Sequence, residues 1–127
     1  MLETLLPLAL VVALIWLLYT RLAPVRGVAT IGPAELRARL KGPRAFLLVD
    51  VREPHEYRAG HLPGAINLPL SQLAVQHHRL PKDKPIILYC ASGMRSKQAA
   101  RWLKKRGYTH LVNVRGGLIG LNDVLVR

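Results

Sequence analysis

The chain has 127 residues, half of them hydrophobic, with 19 Lys and Arg against 7 Asp and Glu and a formal charge of +12. Its one cysteine, Cys90, excludes an internal disulfide and a multi-cysteine zinc site. The charge would suit nucleic acid, anionic lipid or small anions, but the basic residues are scattered and two Trp, four Tyr and one Phe offer little for base stacking, so nucleic acid is the least supported of the three.

Residues 4–20 carry no charge, and Leu5-Leu6-Pro7-Leu8-Ala9-Leu10-Val11-Val12-Ala13-Leu14-Ile15-Trp16-Leu17-Leu18 is almost wholly apolar. As a helix this stretch reaches ~25 Å, within the range of segments that cross a ~30 Å hydrocarbon core. Trp16 and Tyr19 fall where an interfacial aromatic belt would lie, and Arg21 can extend outward. Only Glu3 precedes the stretch, whereas Arg21, Arg26, Arg37, Arg39 and Lys41 follow it, so the positive-inside rule puts the following domain in the cytoplasm. A cleaved signal peptide needs a basic leading region, which is absent, and a small-x-small site, for which only Gly27-Val28-Ala29 offers itself. The expectation is a single-pass cell-membrane anchor over residues 1–21, a linker over 22–27 and one domain over 28–127.

Within that domain, Val28-Ala29-Thr30-Ile31 reads as a short edge strand, and residues 32–40 as a helix with Pro33 in its first turn. Ala45-Phe46-Leu47-Leu48-Val49 is a continuous apolar run, as in a parallel strand covered on both faces, with Asp50-Val51-Arg52 at its carboxyl end. A short helix over residues 53–58, the turn Gly60-His61-Leu62-Pro63-Gly64 and a strand over 65–68 follow. Residues 70–80 read as one helix closed by Pro81. Then Ile86-Ile87-Leu88-Tyr89 predicts a strand, Cys90-Ala91-Ser92-Gly93-Met94-Arg95-Ser96 a small-residue loop, and residues 97–105 a helix closed by Gly107. His110-Leu111-Val112-Asn113-Val114 is a last strand. This alternation argues for an α/β fold with an open, mostly parallel sheet flanked by helices.

A strand, a tight loop and a helix would place Cys90 where backbone N–H groups and the positive end of a helix dipole gather. Such a field favours the thiolate on which cysteine chemistry depends. Gly93 can take positive φ so that successive amides turn inward, and Arg95 adds a cation. The loop therefore reads as a cradle for an anionic group carried on, or attacked by, Cys90.

These residues resemble the rhodanese-like family in its single-domain form. The resemblance rests on Asp50-Val51-Arg52-Glu53, the run from Tyr57 to Pro69, Tyr89 to Ser96, and Val114-Arg115-Gly116-Gly117, in the expected order. It implies a sulfurtransferase whose nucleophile, Cys90, takes the outer sulfur of a small anionic donor such as thiosulfate and passes the persulfide sulfur to a thiol or cyanide-like acceptor. The amides of Ala91, Ser92, Gly93, Met94, Arg95 and Ser96 would hold the persulfide's charge. Arg95 would draw the donor and steady the loop, while Asp50 and Arg52 would brace the site. Neither a cofactor nor a metal is implied. Related phosphatases place arginine six positions after cysteine; here Arg95 is five positions after Cys90, as in the sulfur-transferring branch. The residues after Gly117 depart from the family pattern, which puts the closing helix in question. A catalytically idle docking module, presented by the anchor to a membrane-protein partner, is the alternative.

Three further features lie outside these motifs. His77-His78 predicts a solvated pair rather than a metal site, because neighbouring helical side chains diverge by ~100°. Trp102 suits packing against the sheet. Lys104-Lys105-Arg106 complements a helix C-terminus, with a contact to an inner leaflet as a second possible use.

Overall fold

The computed structural model describes residues 1–127. Five strands, β1 (Ala29–Ile31), β2 (Leu47–Asp50), β3 (Ile66–Asn67), β4 (Ile86–Tyr89) and β5 (Leu111–Val114), form one sheet in the order β1-β5-β4-β2-β3. All neighbouring strands run parallel. The helices are α1 (Leu2–Leu22), α2 (Pro33–Lys41), α3 (Pro54–Ala59), α4 (Leu73–Gln76) and α5 (Met94–Lys104).

The period-two alternation of each strand divides the core between the two faces of the sheet. On one face Leu48, Ile87, Tyr89, Val112 and Val114 pack with Leu36 of α2. On the other, Val49, Ile86, Leu88 and Leu111 pack with Leu73 of α4 and Ala99, Ala100 and Leu103 of α5. Covering both faces is what continuous apolar strands require, and it puts Cys90 on the α5 side. In β4 all four residues are buried, so the central strand is a rigid platform for the loop that follows.

The chain differs from the sequence-based reading at residues 70–80 and at the start of the helix after Cys90, and it resolves the open question of the segment after β5. Residues 70–80 form no single helix: α4 is one turn long, between 3-10 turns at Leu70–Gln72 and His77–Arg79. The backbone leaves helical geometry at Gln72 (φ −107°, ψ 1°) and Gln76 (φ −110°, ψ 2°), while Leu73 and Leu80 are in the core and Val75 is exposed. The helix after Cys90 begins at Met94 rather than near Lys97, so Arg95 and Ser96 belong to its first turn. After β5 there is a 3-10 turn, Asn122–Val124, instead of a closing α-helix. Leu118 and Leu121 nevertheless seal the α2 face, and an antiparallel bridge joins His61 to Val126.

The helix α1 is long and apolar enough to cross a membrane, and none of its residues is buried. The segment after it is docked on the domain: Val25 packs against the α5-side core, and Lys97 Nζ of α5 donates to the Arg21 carbonyl at 2.9 Å.

Candidate active site

The parallel register sets Asp50 of β2 beside Tyr89 of β4, and Leu88 of β4 beside Asn113 of β5. The carboxyl ends of these three strands therefore meet where the chain leaves β4 at Cys90. The turn from β4 into α5 is made possible by Gly93, whose φ of 97° lies in the left-handed region. Glycine has no side chain with which to cap α5, and the first-turn amides of a helix need acceptors from elsewhere. The sulfur supplies one. Cys90 Sγ accepts from Gly93 N–H at 3.0 Å and from Ser96 N–H at 3.4 Å. The Ala91, Ser92, Met94 and Arg95 amides donate to no acceptor in the chain, and Ala91, Ser92 and Met94 are exposed. Of the six amides of residues 91–96, two are thus engaged on the thiol sulfur and four are without an acceptor.

Behind the sulfur lies a polar relay. Ser96 Oγ is 3.5 Å from Cys90 Sγ and 2.6 Å from Asn113 Oδ1, to which it donates. Asn113 went unnamed among the sequence candidates. Its signal was there to read, because it is the polar residue in a strand whose four positions are all buried. The Gly116-Gly117 pair also does more than fill a motif. A Cβ on Gly117 would meet the Cys90 carbonyl oxygen at 2.2 Å, so only glycine permits this contact. Leu118 N–H then bridges the Cys90 and Ala91 carbonyls at 3.2 and 3.1 Å. The turn after β5 is a clamp on the cysteine loop.

Asp50 and Arg52, expected to brace the site, are paired with each other. Arg52 Nη2 meets Asp50 Oδ2 at 2.7 Å and the Gly60 carbonyl at 2.6 Å, and Asp50 is fully buried. Burial alone would lower the Arg52 pKa; the hydrogen bond and charge of Asp50 more than offset it, and the net shift is upward. Asn67 Nδ2 donates to the carbonyls of both Asp50 and Arg52. Burial, then the Asp50 charge, drive the Tyr89 pKa far above its ordinary value, and its hydroxyl accepts from Leu62 N–H at 3.1 Å.

Arg95 differs from expectation. Its guanidinium makes a two-pronged pair with Glu56 of α3, at 2.6 and 2.9 Å, instead of standing free for an anionic donor. That hydrogen-bonded pair holds the Glu56 carboxyl at about 2, below its usual 4.5. Glu56 also accepts from Glu53 N–H in a capping box, so Arg95 ties the cysteine loop to the start of α3. It steadies the loop, and its charge is compensated. Of the histidines, His61 stacks on Tyr57 with ring centroids 3.7 Å apart. His77 is not solvated: it is partly buried, with its ring edge-on to Trp102 at 5.1 Å, while His78 is exposed.

The model of the rhodanese-like domain matches residues 32–122, a span that contains the brace, the cysteine loop and the glycine clamp. The chain belongs to the rhodanese-like family. Among its relatives, an uncharacterized protein of Bacillus subtilis, YqhL, is 45% identical over 92 residues, 72% of this chain and 71% of that protein. A sulfurtransferase of Allochromatium vinosum is 39% identical over 92 residues, 72% of this chain and 86% of that protein. The crystal structure of a rhodanese-related protein from Thermoplasma volcanium superposes with a TM-score of 0.67 at 33% identity, covering 77% of this chain and 97% of that one. The rhodanese fold, with its parallel sheet flanked by helices, and a general role in sulfur transfer follow from this membership.

Proposed function

We propose that this rhodanese-like protein is a membrane-anchored sulfurtransferase that carries sulfane sulfur as a persulfide on Cys90. The observation that carries the proposal is the sulfur itself, set at the end of β4 with amide donors from Gly93 and Ser96 on it and four further loop amides without an acceptor. The Cys90 thiolate attacks the outer sulfur of thiosulfate. A new bond forms between Sγ and that sulfur, the bond to the sulfonate sulfur breaks, and its electron pair leaves with sulfite. The terminal persulfide sulfur then bears the charge, and oriented N–H groups stabilise it as an oxyanion hole stabilises oxygen. A cyanide or thiolate acceptor attacks the terminal sulfur, and Cys90 departs as thiolate, ready for another cycle. Arg95 acts here only by fixing the loop, so the amides and the general positive charge of the domain attract the donor.

The helix α1 is read as the anchor, crossing the cell membrane with the domain on the cytoplasmic side, on the basis of its apolar length and the arginines that follow it. Thiocyanate formation from thiosulfate and cyanide tests the chemistry: the wild type turns over and Cys90→Ser does not. A folded wild type that is inert toward thiosulfate, polysulfide and persulfide donors alike would instead favour a docking module. A reporter active only in the cytoplasm, fused after Arg127, tests the orientation; its silence would reverse it.

A further inference from the structure

The helix α5 has two dissimilar faces. Ala99, Ala100 and Leu103 are buried toward the sheet. Lys97, Arg101 and Lys104 recur at four- and three-residue spacing, which brings them together along another face. That face lies against the segment leaving α1. Lys97 holds the Arg21 carbonyl, one of the terminal carbonyls of α1, and Lys104 Nζ donates to the Arg26 carbonyl. Burial, and to a lesser degree the nearby charge of Arg101, push the Lys97 pKa down.

Here the fold leaves an open cleft of about 440 Å³, whose polar lining is Thr20, Arg26, Arg101, Lys104 and Lys105. None of the seven carboxylates of the chain lines it, and the four ion pairs engage other arginines. Four cations without a counter-charge ask for an anion. The position of the cleft says which. Thr20 stands on the last turn of α1, just past the apolar run that ends at Leu18, where a spanning helix emerges among lipid phosphates.

We infer that this cleft binds the phosphate of an anionic phospholipid in the leaflet from which α1 emerges. The inference rests on the reading of α1 as a membrane span. Acyl chains of the bound lipid would lie along α1, whose side chains are exposed over its whole length. A zwitterionic lipid brings its own cation toward the same four charges and binds less well. Because α5 starts at the cysteine loop, one bound headgroup would also set the distance of Cys90 from the membrane surface.

The test uses the full chain in detergent, titrated with phosphatidylglycerol or phosphatidylcholine, with bound lipid counted by native mass spectrometry. Phosphatidylglycerol should bind at least tenfold more tightly. Arg101→Gln with Lys105→Gln should weaken it about 30-fold, equivalent to ~2 kcal/mol, while thermal stability and sulfur transfer persist. Lys41→Gln with Lys84→Gln, which removes the same charge away from the cleft, should leave binding unchanged. Equal binding of the two lipids, or an unaffected double variant, overturns the cleft as a lipid site without touching the span. Failure of the chain to stay with neutral phosphatidylcholine vesicles through an alkaline wash overturns the span itself, and the lipid site with it. Inorganic phosphate or single-stranded RNA that binds these residues as tightly as phosphatidylglycerol overturns the lipid assignment.

Discussion

Alanine at Gly117 would place a methyl group 2.2 Å from the Cys90 carbonyl oxygen and 2.7 Å from the carbonyl carbon and oxygen of Ala91. These are backbone atoms, so the clamp or the cysteine loop must move by about an ångström to relieve the contact. Gly116 provides a matched comparison, since its φ of +76° is also left-handed but nothing lies within 4 Å of its Cβ position. A left-handed alanine costs ~1–2 kcal/mol at either position. At Gly117 the displacement adds the shared Leu118 hydrogen bond, ~1 kcal/mol. It also re-exposes part of Leu118, a side chain whose full burial is worth ~1.5–3 kcal/mol. The sum is ~3–5 kcal/mol for Gly117→Ala against ~1–2 kcal/mol for Gly116→Ala. For a domain of this size the difference should lower the melting temperature by roughly a further 8 °C or more. Thermal unfolding and the rate of thiocyanate formation, measured on both variants, check it. Transfer should fall at least about tenfold in Gly117→Ala, where the cysteine loop itself is displaced, and by less than about threefold in Gly116→Ala, where the strain lowers stability without moving the loop. Equal behaviour of the two variants would refute the clamp.

Other residues give independent checks. Asp50→Ala strands Arg52 as a buried unpaired cation, and chemical denaturation should show a loss of ~3–5 kcal/mol. Asn113→Ala removes the nearer acceptor of the Ser96 hydroxyl and leaves it only the Gly93 carbonyl at 3.2 Å; a stability loss of ~1–3 kcal/mol and slower Cys90 loading are expected, read by denaturation and stopped-flow. Glu56 has a pKa depressed below that of the unfolded chain, so its pairing with Arg95 stabilises the fold at neutral pH. That contribution should vanish as pH falls from about 4.5 to about 2. Melting temperatures of wild type and Glu56→Gln, compared down that range, should converge; a constant gap would mean the ion pair is not the cause.

The parts of the fold read correctly from sequence were those where one local signal sufficed. Continuous apolar runs gave β2 and β4, and strand, small residues and helix in succession gave the Cys90 loop. The misread parts depended on residues distant in the chain. Residues 70–80 have apolar spacing compatible with a helix, but they run as short turns, and the Tyr108 hydroxyl, from beyond α5, donates to the His77 carbonyl there. Arg95 looked free because its partner, Glu56, precedes it by 39 residues. The relay through Asn113 and the Gly117 contact with Cys90 depend on how β5 is laid beside β4, which no local pattern encodes.

The central claim is a persulfide on Cys90, and the intact mass of the full chain after incubation with thiosulfate addresses it most directly. The account predicts a gain of one sulfur atom on the wild type, no gain on Cys90→Ser, and loss of that atom when cyanide or a thiol is added. A folded wild type that gains no sulfur, or a gain that survives in Cys90→Ser, would contradict it.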